Sequence, residues 1–368
     1  MKKILFTASV FFHFNAFHIP YLKYFHDLGY EVYIAAKGDE EVPYADVRHV
    51  VNFERSPFSK ANFAAYRELK TIIEENHFEL IHCHTPVASI LTRMAARGAR
   101  KKGTKVVYTA HGFHFYKGAP LVNWLVYYPV EWLCSFFTDC LITINQEDFG
   151  RAKKHFHARK ICYIPGMGVD CEKIAHEVDK PSNLRGKYGI PKEAFVVLSV
   201  GEVNQNKNHK VVLEAIHKLS DKNIYYVICG RGNQSGALQA LAKRYGMDDQ
   251  LKLVGFQTNI TEWLSIADVF AFPSVREGLG LAALEAMAAG LPLVTSDSGG
   301  IKDFMENGKT GFCCHFSDSN GFAVAIRRLK NDLALREQMS RGNREAVKRF
   351  DIQNVKQKME EIYRSVLE

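Results

Sequence analysis

Short apolar runs alternate with longer amphipathic stretches from one end of the chain to the other. In the first half, residues 3–9, 31–36, 80–84, 105–109, 140–144 and 161–164 are apolar runs, which predicts buried strands. Residues 17–28, 61–76 and 87–97 carry helical spacing between them. Continuous apolar strands separated by helices suit a parallel sheet covered on both faces. The alternation pauses over residues 165–193, where Pro165, Gly166, Gly168, Pro181, Ser182, Asn183, Gly186, Gly189 and Pro191 predict a linker. It restarts with strands at 195–200, 225–229, 252–255, 269–272 and 291–295 and helices at 210–219, 235–245, 260–265 and 281–289. A charged helical tail follows over 320–368. The expected class is α/β, with two doubly wound domains in series that bind ligands beyond the carboxyl ends of their strands.

The length of 368 residues suits two such domains. The net charge of +8 suits an anionic partner, but no zinc finger, RNA-binding sheet signature or basic zipper accompanies it, so nucleic acid is not expected. The basic cluster Arg97, Arg100, Lys101, Lys102 and Lys105 reads first as a solvated helix end and loop. The 8 Cys are scattered and form no C-x-x-C, which favours a reducing compartment. No Cys/His cluster has ligand spacing in the sequence, so no metal is expected. His82 and His84 read as a hydrogen-bonded pair at a strand end. Lys2 and Lys3 before residues 4–12 mimic the start of a signal peptide, but His13, Asn15 and His18 interrupt it, so a first strand is expected. The apolar stretch 119–142 carries Asn123, Pro129, Glu131 and Asp139, which argues against a spanning helix. Its aromatic residues suit both core packing and a membrane interface.

The most informative segment is residues 273–290, a glycine-bearing loop that runs into an Ala/Leu-rich helix ending at Gly290. Gly278 and Gly280 let backbone approach a ligand, and the amides near Leu279 to Ala282 would favour a phosphate at the helix start. The eight residue steps from Glu277 to Glu285 would span about 12 Å of ideal helix at about 1.5 Å per residue. That spacing suits two acids holding different parts of one extended ligand.

This Glu277-x7-Glu285 frame resembles the donor-site signature of retaining family-4 glycosyltransferases. Residues 199–209, with Lys207, resemble the first loop of their C-terminal domain. Residues 295–300, with Gly299 and Gly300, and 307–312 resemble later turns, and 109–120, with His111, resemble their N-terminal catalytic loop. The likeness spans essentially the whole chain and is nearest the subgroup of bacterial exopolysaccharide and capsule enzymes. It implies the GT-B fold: two Rossmann-like domains facing across a cleft, an acceptor-binding domain over 1–170 with helix 351–368 packing back on it, and a donor-binding domain over 171–350.

The resemblance further implies that Glu285 holds the donor ribose, and that Glu277 with the amides of Gly278, Leu279, Gly280 and Leu281 holds the transferred sugar. Lys207 would neutralise the departing diphosphate, and His111 would face the sugar. His13, Asn15, His18 and His114 are acceptor-side candidates. Two departures stand out. Glu202 replaces an Arg common in the family, with Arg231 or Arg276 as substitutes for the lost cation. The loop 9–18 lacks the family's glycines, which suggests an aromatic acceptor wall. The implied activity is retaining hexosyl transfer from a UDP- or GDP-sugar to a glycan or undecaprenyl-diphosphate-linked acceptor, in cell-surface polysaccharide synthesis. No cofactor or metal is required, since no Asp-x-Asp is present. The enzyme would be cytoplasmic and peripheral on the inner face of the plasma membrane, bound to its anionic surface. The alternatives are a nicotinamide oxidoreductase, disfavoured by the missing G-x-G-x-x-G, and a degenerate partner subunit of an assembly complex.

Overall fold

The computed structural model describes residues 1–54 and 56–368. The chain divides into two compact units, residues 1–167 with 354–368 and residues 168–353. The first is built on β1 (Lys3–Val10), β2 (Glu31–Lys37), β3 (Val47–Val50), β4 (Leu80–His84), β5 (Lys105–Ala110), β6 (Cys140–Thr143) and β7 (Lys160–Tyr163). Their spatial order is β3-β2-β1-β4-β5-β6-β7, and every neighbouring pair is parallel. Ile4, Leu5, Phe6, Leu80, Ile81, Val106 and Val107 are completely buried, as strands covered on both faces require. Helix Ala61–Asn76 covers one face with Ala65, Leu69, Ile72 and Ile73.

The second unit holds β8 (Phe195–Val200), β9 (Ile224–Cys229), β10 (Leu251–Gly255), β11 (Val269–Phe272), β12 (Leu293–Ser296) and β13 (Gly311–Cys314), in the order β10-β9-β8-β11-β12-β13. All of these neighbours are parallel too. In each sheet the strand order reverses once, between β1 and β4 in the first and between β8 and β11 in the second. Connections leave such a point in opposite directions, so the carboxyl ends of those two strands remain open to a ligand.

Three local readings need correction. β3 and β13 were not anticipated, because both are four-residue edges, partly exposed, with little apolar signal. The helix expected over 17–28 runs over Ile19–Asp27, with Pro20 in its first turn, and a further short helix, Phe12–Phe17, precedes it across His18. The expected linker 165–193 contains helices Cys171–Val178 and Leu184–Lys187, anchored by buried Ile174 and Leu184 and by the Asp170 side chain accepting from the Lys173 N–H. Among the described residues, no helix is long and apolar enough to cross a membrane.

Candidate active site

In the second unit the loop 273–280 leaves β11 at the switch point and enters helix Leu281–Ala288. Backbone packing fixes its path. The Gly300 N–H donates to the Glu277 carbonyl at 3.1 Å, and a Cβ on Gly300 would lie 2.0 Å from the Gly278 carbonyl oxygen. Gly280 has φ +104°, and a Cβ there would meet the Phe272 ring at 2.6 Å. From the loop after β8, the Asn206 side-chain amide donates to the Arg276 carbonyl at 2.9 Å, while the Val275 N–H donates to the Asn206 carbonyl at 2.7 Å. The same two loops present Lys207 and Glu277, whose Nζ and Oε1 are 2.6 Å apart. Lys207 also stands over the Phe272 ring, 5.0 Å from its centroid. Both charged groups are mostly buried, a setting in which a charge-assisted hydrogen bond holds its geometry.

No side chain caps helix Leu281–Ala288. The amides at its start therefore have no side-chain acceptor and lie at the positive end of the helix dipole, which favours an anion. Glu285 sits one turn further in, and burial pushes its carboxyl up to about 7. The structure thus brings Lys207 and Glu277 into contact and leaves Gly278, Leu279, Gly280 and Leu281 as a backbone rim beside them. Glu202 and Arg231 are both exposed, with Arg231 lying against Gly255.

The first unit gathers histidines at its own switch point. His13 and His18 follow β1, His84 ends β4, and His111 follows β5. Each offers a ring nitrogen, and these four atoms all lie within 4.8 Å of one another. The expected hydrogen-bonded pair at the end of β4 holds only for His82. Its Nδ1 meets the Tyr363 hydroxyl at 2.8 Å and its Nε2 meets the Thr109 hydroxyl at 2.8 Å. Both ring nitrogens of His84 and of His18 are buried without a hydrogen-bond partner. Each such nitrogen costs about 1–3 kcal/mol when left unsatisfied. Burial lowers His13 to about 4 and holds His18, His84 and His111 well below the ordinary histidine range, so all four are neutral near pH 7. The sequence reading missed this cluster because its members come from three distant segments. The segment 9–18 carries imidazoles as well as the expected aromatic side chains, and His13 and His18 belong to this group. Asn15 and His114 lie outside the group: Asn15 donates to the Glu41 carbonyl at 2.9 Å, and His114 stacks on Tyr127 at 4.7 Å.

The aromatic stretch 113–137 divides by depth. Phe113 and Phe115 are buried and stack at 4.9 Å. Helix Leu121–Ser135 exposes Leu121, Val122, Leu125, Trp132 and Leu133, and Phe136 continues that exposed face. The adjoining basic cluster is partly committed, since Arg100 grips Asp139 with two 2.9 Å bonds and Arg97 lies 4.4 Å from the Phe137 centroid. Lys101 and Lys102 remain exposed.

The family description "Glycosyl transferases group 1" matches residues 181–346, and "Glycosyl transferase 4-like" matches residues 3–145. EpsD of Bacillus subtilis (strain 168), which carries the glycosyltransferase name provisionally, is 41% identical over 371 aligned positions, covering 100% of this chain and 97% of its own. The chain is a family-4 glycosyltransferase. The enzyme transfers a sugar from a nucleotide-sugar, and the oxidoreductase alternative falls. It is also 30% identical over 321 positions to the Escherichia coli UDP-Gal:alpha-D-GlcNAc-diphosphoundecaprenol alpha-1,3-galactosyltransferase, covering 82% of this chain and 81% of that one. Among solved structures, Anabaena HepE in complex with UDP and glucose superposes with TM-score 0.81 at 20% identity, over 99% of this chain and 100% of that one. WaaG, a glycosyltransferase involved in lipopolysaccharide biosynthesis, gives 0.77 at 16%, over 98% and 99%. The glycosyltransferase has the GT-B fold class, with a Rossmann-like sheet in each unit.

Proposed function

We propose that the enzyme moves a hexose, with retention of anomeric configuration, from a UDP- or GDP-sugar to a lipid-linked glycan acceptor during cell-surface polysaccharide synthesis. The observation that carries this reading is the Lys207–Glu277 contact of 2.6 Å beside an uncapped helix start. The donor diphosphate lies against Lys207 and the first amides of helix Leu281–Ala288. Glu285 accepts from the ribose hydroxyls, and Glu277 holds the hexose. The C1–O bond to the diphosphate breaks as the acceptor oxygen bonds to C1 from the same face, and the acceptor's proton passes to the departing phosphate oxygen. Lys207 and the amides stabilise the negative charge that develops there. They supply the positive field at the diphosphate without a divalent ion. His111, with His13 and His18 as its neighbours, is the first unit's own candidate for substrate contact.

The acceptor reading gains support from the outward apolar ladder of helix Leu121–Ser135. Leu121 is 76% and Leu125 is 70% exposed. With Lys101 and Lys102 nearby in sequence to the Arg97–Phe137 contact, this face suits an anionic membrane surface on the cytoplasmic side. The E. coli relative's name gives the first pair to try: UDP-galactose with an N-acetylglucosaminyl diphosphoundecaprenol. The test is a thermal-shift screen against UDP-, GDP- and ADP-sugars, followed by transfer to that acceptor with NMR of the product anomer. A stabilising UDP- or GDP-sugar that yields a retained linkage is expected. An inverted anomer would overturn retention, and failure of every nucleotide-sugar to stabilise the protein would overturn the donor assignment.

A further inference from the structure

Four imidazoles from three separated segments converge at the open end of β1, β4 and β5. Their four donor atoms lie within 4.8 Å of one another, and the His18 and His84 rings stand only 3.8 Å apart between centroids. His13 and His111 approach at 4.8 Å, nearly perpendicular at 82°. His18 and His84 are completely buried, and both nitrogens of each lack a hydrogen-bond partner within the protein. Their neighbour His82 makes a useful contrast. It is equally buried, yet the fold supplies it with a hydroxyl on each side. The chain therefore satisfies His82 with hydroxyls, and leaves one ring nitrogen from each of four other histidines within 4.8 Å of one another.

We propose that His13, His18, His84 and His111 form a site for a divalent d-block cation, zinc foremost. Imidazole nitrogens suit zinc, copper, nickel and cobalt, and four protein ligands make the closed tetrahedral arrangement of a structural zinc centre. Tetrahedral zinc with Zn–N bonds of about 2.0–2.1 Å needs nitrogens about 3.4 Å apart, so the most widely separated of these nitrogens, within 4.8 Å here, draw together by about 1.4 Å at most. The ion would tie the segment after β1 to the ends of β4 and β5, and so fix His111 in place. The inference concerns the first unit alone and stands whether or not the donor assignment holds.

The experiment uses the full chain. Metal content is measured on the purified protein, and zinc and cobalt titrations follow on metal-stripped protein. One equivalent per chain is expected, with a zinc-dependent rise in Tm. His84→Gln and His18→Gln should each weaken binding by at least about 100-fold, since even changes outside the ligand set cost about 10–100-fold. His82→Gln should keep the ion. Where a variant fails to fold, the cobalt spectrum of the unaltered chain decides: visible bands of a tetrahedral ion without thiolate charge transfer support the site. No stoichiometric binding of either ion, binding that survives both substitutions, or a thiolate band pointing to cysteine ligands would each overturn it.

Discussion

At the ends of β8 and β11, Lys207 and Glu277 satisfy each other at 2.6 Å; beyond the ends of β1 and β4, the His18 and His84 rings stand 3.8 Å apart, tilted by 33°, with no hydrogen-bond partner for any ring nitrogen. Both places are switch points of parallel sheets, so topology offers them equally as sites. They differ in the electronic character of what they present. The second unit presents a cation, a carboxylate and helix amides, which suits a charged and hydroxyl-rich ligand. The first presents imidazole nitrogens, those of His18 and His84 wholly buried and without hydrogen-bond partners, which suits an electron-pair acceptor. A doubly wound sheet fixes where a site lies, and the side chains that end its strands fix what the site can take.

The sharpest way to break the donor half of this contrast is Glu277→Gln. The amide keeps the shape but surrenders the charge paired with Lys207. Glu277 is assigned to the reacting sugar, where charge changes along the reaction, so kcat should fall about 10²–10³-fold with donor KM little altered. Donor-saturation kinetics at fixed acceptor measures this. An unchanged kcat would remove Glu277 from the chemistry.

Glu285→Gln should act differently. The ribose does not react, so its contacts should be alike in ground and transition states, and their loss should raise donor KM about tenfold while sparing kcat. The carboxyl titrates at about 7 in the unliganded protein, raised by burial. Donor binding needs the ionised form, so the unaltered enzyme should bind donor less well as pH falls below about 7, and Glu285→Gln should flatten that profile. The stability sign is the opposite one. A carboxyl raised in the folded state contributes stability that is present below its unfolded pKa and lost as pH rises through about 7. The variant's Tm should therefore exceed that of the parent above pH 7. A Tm difference that does not change with pH would contradict the buried titration.

Much of this organisation is legible in the sequence, and the failures have physical causes. The β11 loop could be read because its message is local: Glu277, Gly278, Gly280 and Glu285 are near neighbours in one strand–loop–helix passage. Lys207 could be tied to Glu277 only through the family likeness, since sequence spacing across 70 residues carries no geometry. The four-histidine group was illegible for that reason. His18 precedes His84 by 66 residues, and only the β1–β4 pairing makes them neighbours. The edges β3 and β13 were missed because half-exposed four-residue strands lack the apolar run that betrays a central one.

A smaller effect is expected at the surface of the first unit. Lys101 and Lys102 are exposed, whereas Arg100 is held by Asp139. Reversing both lysines to Glu should weaken sedimentation with anionic vesicles by several-fold at low salt, and by less at high salt. Tm should not change. Equal binding to neutral and anionic vesicles at every salt concentration would remove the electrostatic part of the membrane proposal and leave only the exposed apolar face of helix Leu121–Ser135.

The smallest expected effect is the one that separates the two switch points most cleanly. Lys207 and the amides at the start of helix Leu281–Ala288 supply the positive field at the diphosphate, so transfer should persist in excess EDTA with magnesium and manganese absent. A donor site that depends on a divalent ion would lose activity at once and recover it with magnesium or manganese, hard cations that bind phosphate oxygens. An ion on the four histidines would behave otherwise. Nitrogen ligands favour zinc, copper or cobalt over magnesium, and a closed site releases its ion slowly. Prolonged chelation would then lower Tm, and any accompanying loss of transfer should be restored by zinc and not by magnesium. Rescue by magnesium or manganese would therefore overturn the metal-free donor reading and leave the histidine proposal standing. Indifference of both activity and Tm to exhaustive chelation, on protein shown by metal analysis to have held zinc, would count against a stabilising ion at the histidines and leave the donor reading intact.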